Sequence, residues 1–167
     1  MIFATVGTQL PFDRLLGALD AWAALRPKEE VVAQTGKTSG RFENLLCKES
    51  LSQSEFQQAF ANAQIIVAHA GMGTILSAAE MGKPIILMPR EAALGEHRND
   101  HQADTAAEMA VLPNVTVVRD AAGLAEALDR ILETPHDLAA GSSEATPALI
   151  AALHDFIFPE KAKDSRK

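Results

Sequence analysis

Apolar positions along the chain fall into short dense runs, separated by longer stretches in which they recur at helical spacing. Ile2 to Val6, Glu30 to Gln34, Leu45 to Lys48, Ile65 to Ala68, Pro84 to Pro89 and Val115 to Val118 read as strands. Several are apolar throughout, as strands covered on both faces are. Behind Pro11, the residues Phe12, Leu15, Leu16, Leu19, Trp22 and Ala23 form one helical stripe, with Trp22 as core filler; Phe56, Ala59 and Phe60 form another within Ser54 to Asn62. Further helices are predicted over Thr74 to Met81, closed by Gly82 with Pro84 beyond, over Asp100 to Met109, and over Ala121 to Leu132. Strands alternating with helices predict an α/β domain: a parallel sheet of about six strands, helices on both faces and right-handed crossovers.

Beyond residue 133 the pattern changes. Thr134 to Ala145 is rich in Pro, Gly and Ser and reads as a loop. It leads to an apolar helix over Thr146 to Phe158, whose stripe of Ala148, Leu149, Ala152, Leu153, Phe156 and Ile157 either packs on the chain's own sheet or docks a partner. Residues 159–167 form a charged tail. The predicted organisation is therefore one α/β domain over 1–133, a loop and helix over 134–158, and the tail.

Length and charge remove several function classes. At 167 residues one domain buries roughly 70% of its unfolded surface and needs no disulfide framework. The single cysteine, Cys47, lies in a short apolar run and is expected to be a plain buried thiol, not a nucleophile. Net charge is -7, the basic cluster is confined to Lys161 to Lys167, and tyrosine is absent; nucleic acid is thereby disfavoured as a partner. With no basic leader and no apolar run near the ~20 residues that span a bilayer, a soluble intracellular protein is expected.

The chemistry concentrates where Ile65-Ile66-Val67-Ala68 runs into His69-Ala70-Gly71-Met72-Gly73-Thr74. A buried strand that turns into a helix N-terminus presents free amides and a positive dipole end, which suits a phosphate. Gly71 and Gly73 would let the phosphate reach the backbone, while Thr74 and His69 would donate hydrogen bonds. Such a turn equally permits tight strand-to-helix packing alone. Two phosphate motifs are excluded: the third dinucleotide glycine position holds Leu76, and the first P-loop glycine ahead of Gly36-Lys37-Thr38 would fall at Val31. In an open parallel sheet, ligands lie outside the carboxyl ends of the strands, which gathers Gly7-Thr8, His69 to Thr74 and Arg90 to Gln102. The run Glu96-His97-Arg98-Asn99-Asp100-His101-Gln102 reads as a sugar-binding loop, a solvated loop or a metal site, with a spacing that matches no zinc motif.

Five segments carry a resemblance: Met1 to Thr8, Phe12-Asp13-Arg14-Leu15, His69 to Ile75, Gly82-Lys83-Pro84 and Asn99-Asp100-His101-Gln102. From Met1 to about Leu132 the chain resembles the donor-binding half of a GT-B glycosyltransferase, of the family 28 C-terminal domain type. It is most similar to stand-alone versions: the catalytic subunit of the dolichol-linked GlcNAc transferase and, through Met88-Pro89-Arg90 and Gly95 to Gln102, the small subunit of bacterial two-component exopolysaccharide transferases. The resemblance implies a single Rossmann-like domain in which Gly7 and Thr8 line a nucleotide-sugar cleft. It implies that His69, Ala70, Gly71, Met72, Gly73 and Thr74 hold the diphosphate and that Asn99, Asp100, His101 and Gln102 read the sugar. Family members commonly carry a ribose-binding glutamate where this chain has Ser77; Glu80 stands one helical turn on.

The implied function is metal-independent transfer from a UDP-sugar, without a cofactor, to a lipid-linked saccharide in exopolysaccharide biosynthesis. A membrane-associated partner subunit would bind the acceptor and recruit the chain to the inner face of the cytoplasmic membrane. UDP-glucuronate leads as donor, with Arg90 or Arg98 as candidate partners of its carboxylate. His69 is the best candidate to stabilise the leaving diphosphate, and no general base is assigned. The alternatives are a non-catalytic nucleotide-sugar-binding or regulatory module and a nucleotide-sugar epimerase-like enzyme.

Overall fold

The computed structural model describes residues 1–134; the expected helix over 146–158, most of the loop before it and the charged tail lie outside those residues. Six strands, β1 (Ile2–Thr5), β2 (Val31–Gln34), β3 (Leu46–Lys48), β4 (Ile65–Ala68), β5 (Ile85–Leu87) and β6 (Val115–Val117), form one sheet in the order β3-β2-β1-β4-β5-β6. Every neighbouring pair is parallel. The intervening helices are α1 (Asp13–Ala24), α2 (Gln53–Asn62), α3 (Met72–Glu80), α4 (His101–Met109) and α5 (Ala121–Glu133).

Alternation along the strands divides the core in two. Ile2, Ala4, Val31, Ala33, Ile65, Val67 and Ile86 face Leu15, Leu16, Leu19 and Trp22 of α1 and Leu124 and Leu128 of α5. Phe3, Ile66, Ala68, Ile85 and Leu87 face Phe60 of α2, Ile75, Ala78 and Ala79 of α3 and Met109 of α4. Phe3 meets Phe56 and Phe60 edge-on, at ring centroid distances of 5.4 and 6.2 Å, a geometry favoured by the ring quadrupoles. Trp22 is core, 4% exposed, and its indole N–H donates to Asp129 on α5 at 3.0 Å. Helix ends follow local chemistry: Ser52 and Glu55 form a reciprocal capping box on α2, and the Asp120 side chain accepts from the Gly123 amide.

Three expectations are corrected. Helix α1 starts at Asp13 with Phe12 as N-cap, so Pro11 stands outside the first turn; the Phe12 N–H donates instead to the Thr38 hydroxyl at 2.9 Å. Helix α3 starts at Met72, not Thr74, because Gly71 is extended and already serves as the N-cap. Cys47 is exposed, not buried. It lies on β3, the sheet edge, which pairs with β2 alone, and hydropathy cannot distinguish an edge strand from a central one. Partial burial, followed by the charge of Asp20, still raises its thiol pKa.

From β1 the chain winds outward to β2 and β3, then returns to lay β4 on the other side of β1. The connections leaving β1 and β4 therefore diverge to opposite faces and open a crevice at the carboxyl edge between them. Truncating the core below that crevice tests the packing. Leu16 is fully buried, so Leu16→Ala should cost about 2–5 kcal/mol, read as a lower urea midpoint with an unchanged slope.

Candidate functional site

The crevice is built on contact between the turns after β1 and β4. Gly7 has φ 74°, a left-handed conformation that glycine adopts without steric penalty. A Cβ built on Gly7 would stand 3.1 Å from His69 Cε1, and one on Gly71 would stand 2.5 Å from His69 Nε2. The imidazole thus fills the space that both glycines leave open. Gly71 makes room for His69, whereas the sequence reading assigns that glycine to the approach of a phosphate. Gly73 faces open space, with nothing within 4 Å of its built Cβ, and so fits that role.

Helix α3 begins in the same turn. The amides of Thr74 and Ile75 donate back to the Gly71 carbonyl, and no side chain caps the helix. Among the described residues this leaves the Met72 and Gly73 amides without acceptors, at the positive end of the helix dipole. Gly73 is exposed and Thr74 half-buried. Ala70, by contrast, is 4% exposed and packs under the turn.

Arg90 is not a surface cation waiting for a uronate. It is 3% exposed, its Nη2 donates to the carbonyls of Val6 and Leu10 at 2.8 and 2.7 Å, and its guanidinium stacks 4.8 Å from the Phe12 ring. Its Nε is buried without a partner among the described residues. Burial lowers the Arg90 pKa, yet a guanidinium stays charged. Its backbone N–H donates to Gln102 Oε1 at 3.1 Å, which ties the start of α4 to the same rim as His69.

The polar run from Glu96 to Gln102 is mostly engaged with itself and with α1. Arg14 grips Glu96 through two bonds of 2.8 Å. Burial pushes the Glu96 carboxyl up, but the Arg14 hydrogen bonds and charge outweigh it and the pKa falls. Asp100 accepts from the Ala92 amide at 2.9 Å, and Asn99 contacts the His97 ring. Arg98, Asn99, Asp100 and His101 are exposed. Among the described residues no group of three or more His, Cys, Asp or Glu side chains is placed to hold a metal ion.

Ser77 faces inward to its own helix, donating to the Gly73 carbonyl at 3.0 Å. Glu80 is the last residue of α3, roughly 4–5 Å further from the crevice by helix rise, so α3 moves this carboxylate away from the nucleotide end. Sequence reasoning placed Glu96 and His97 in a candidate sugar-binding loop but gave Arg14 no role in the site. Spacing carried no signal for Arg14, because its acid lies 82 residues away.

His69 is the electrostatic centre. Burial is the main reason its pKa is lowered to about 4; the charges of Arg90 and His97 act the same way, against a pull from the Thr5 carbonyl. Its Nδ1 is buried with no partner among the described residues. The ring is therefore neutral at pH 7 and has hydrogen-bonding capacity to spare. A proton-coupled NMR titration should find the His69 midpoint near 4. Between that value and the ordinary one near 6.5, the unfolded chain binds more protons at this site, so His69 makes stability fall as pH drops through the window; His69→Gln should flatten that part of the profile. Gly71→Ala should displace the ring and destabilise the fold by more than about 1 kcal/mol, measured by chemical unfolding.

Comparisons with known proteins agree with this architecture. The family model described as "Glycosyltransferase family 28 C-terminal domain" matches residues 1–156. The chain is 31% identical over 137 residues to a UDP-N-acetylglucosamine–N-acetylmuramyl-(pentapeptide) pyrophosphoryl-undecaprenol N-acetylglucosamine transferase of Pseudomonas putida, covering 77% of this chain and 38% of that relative's length. Among solved structures, the glycotransferase of kitacinnamycin superposes with a TM-score of 0.63 at 19% identity, over 90% of this chain and 38% of that one. A Neisseria meningitidis UDP-GlcNAc 2-epimerase bound to UDP-GlcNAc gives 0.58 at 14% identity, over 91% and 43%. At such identities these structures establish the fold alone, a Rossmann-like α/β domain of the GT-B type. The family match spans most of the chain, and the protein belongs to the glycosyltransferase family 28 C-terminal domain family.

Proposed function

We propose that this chain is the donor-binding catalytic subunit of a two-component UDP-sugar glycosyltransferase that extends a lipid-linked saccharide in exopolysaccharide biosynthesis. The observation that carries the reading is the crevice between β1 and β4. There the unpaired Met72 and Gly73 amides, the half-buried His69 ring and the buried Arg90 cation share one rim. A diphosphate supplies the acceptors that the two amides lack and an anionic partner for the His69 ring, above the positive charge of the buried Arg90. The family match and the Pseudomonas relative, whose name specifies a UDP-sugar donor and an undecaprenol-linked acceptor, support the same chemistry.

In the proposed reaction an acceptor hydroxyl oxygen attacks the anomeric carbon of the donor sugar. The bond from that carbon to the β-phosphate oxygen breaks, and UDP leaves with the electron pair. The α3 amides and His69 stabilise the growing charge on the diphosphate, so no metal ion is required. Anion binding favours the protonated ring, so the His69 pKa rises as UDP arrives. On this reading the hydroxyl proton passes to a base on the acceptor-binding partner. The chain spans 38% of the length of the curated relative it matches; on this reading a membrane-associated second subunit supplies the acceptor half and brings the chain to the inner face of the membrane. No helix among the described residues is long and apolar enough to cross a membrane.

We take UDP-glucuronate as the donor, with exposed Arg98 in place of Arg90 as the partner of its carboxylate. Asn99, Asp100, His101 and Gln102 then face the sugar hydroxyls, and Gly7, Thr8 and the region of Ser77 face the nucleoside. Fold likeness to UDP-GlcNAc 2-epimerases favours a second reading, an epimerase-like enzyme; conversion of a UDP-sugar by this chain without any acceptor would select it.

Calorimetry should detect UDP binding to the isolated chain. His69→Ala should weaken it about 10- to 100-fold, the loss of one charge-assisted hydrogen bond. Arg98→Gln should weaken UDP-glucuronate about two- to fivefold relative to UDP-glucose, as suits an exposed ion pair. Absence of binding by UDP and by every UDP-sugar at millimolar concentration overturns the proposal.

A further inference from the structure

Arg14 has more partners than a surface ion pair requires. Besides its paired hydrogen bonds to Glu96, its Nη2 donates to the Pro89 carbonyl at 2.9 Å, its Nη1 donates to the Arg119 carbonyl, and Glu91 lies 3.7 Å away. Phe12 stacks against the guanidinium at 5.4 Å. One side chain on the first turn of α1 thus joins the connection after β1 to those after β5 and β6. The Glu96 side chain is 12% exposed and uses Oε2 a second time, to accept from the Glu91 amide at 3.0 Å.

The segment held this way runs along the crevice rim from Met88 to Asp100, between β5 and α4. Its start is fixed by the buried Arg90 side chain on the Val6 and Leu10 carbonyls; beyond that its remaining supports are few. A short 3₁₀ turn at Ala92–Leu94 ends in Gly95 with φ 71°, the Ala92 amide meets Asp100, and the Arg90 amide meets Gln102. Leu94 is 56% exposed, so apolar burial does not anchor the middle of the segment. The Arg14 fork does, and a planar guanidinium fixes the plane of the carboxylate as well as its distance.

We infer that Arg14 and Glu96 are positioning residues for donor-sugar selection: their paired bonds hold the Arg90–Asp100 connection so that Asn99 to Gln102 meet the sugar. The inference rests on the proposed donor site. It assigns the pair to the sugar end of the donor and not to the diphosphate, which His69 and the α3 amides hold independently. The diphosphate turn follows β4, and no bond of Arg14 reaches it. Replacing the fork should therefore separate two affinities that a general loss of stability would lower together.

The test compares the full chain with Arg14→Lys and Glu96→Gln, which keep the size of each side chain and remove the matched fork. Calorimetry measures UDP, UDP-glucuronate, UDP-glucose and UDP-N-acetylglucosamine against each protein, and thermal melting verifies cooperative folding. The expected result is that the wild-type chain binds at least one UDP-sugar more tightly than UDP. Both variants should lose that preference by about five- to tenfold, a scale set by one charge-assisted bond, while UDP affinity stays within about twofold. Amide exchange at Glu91 and Ala92 should accelerate in the same variants, because those amides are tied to the held segment. Equal losses for UDP and UDP-sugars, or an unchanged preference, would overturn the inference while leaving the donor site intact. Failure of the wild-type chain to bind UDP at all would instead remove the reading beneath it.

Discussion

The contact on which the site depends is that of the His69 imidazole with the bare backbones of Gly7 and Gly71. Parallel pairing brings β1 and β4 side by side in the register Thr5↔Ala68, so the residues that follow each strand meet at once. Only glycine leaves the volume into which the ring settles, on one side by a left-handed turn and on the other by lack of a Cβ. Seated there, the ring loses hydration and its proton affinity falls. It also shields the base of the crevice, while the Met72 and Gly73 amides remain at the mouth.

Around that contact the protein uses two arginines for unlike purposes. Arg90 is buried and saturates carbonyls of the connection after β1, so it places a positive potential beneath the crevice without presenting a flexible head group. Arg14 is part-exposed and works by geometry, gathering carbonyls and a carboxylate from connections far apart in sequence. One sets the local field and the other sets a shape. A lysine could do neither well, since a point charge cannot bridge several acceptors in one plane.

Much of the fold was legible in the residues. All six strands lie within the predicted runs, and the runs that are apolar throughout are covered on both faces, although which residue faces which core is decided by the structure. The His69 turn was legible too, because a buried strand, small residues and a helix occur in immediate succession. The roles inside it were less so. Gly71 reads as room for a phosphate and also makes room for the His69 ring; Arg90 reads as a candidate partner of a donor carboxylate and is buried on backbone carbonyls. Cys47 failed in the opposite direction, since an apolar run on an edge strand resembles one in the middle of a sheet.

By itself the sequence determined the order of strands and helices, the family and the turn at which chemistry gathers. Each of these is written in residues close together along the chain, where periodicity and spacing act. Tertiary structure alone decided that Arg14 meets Glu96, that Arg90 stacks on Phe12 under the crevice, and that the His69 ring is held uncharged. These depend on burial and on partners separated by up to 105 residues, and the free energy of a charge is set by the solvent and the dipoles that surround it after folding, which no local pattern records.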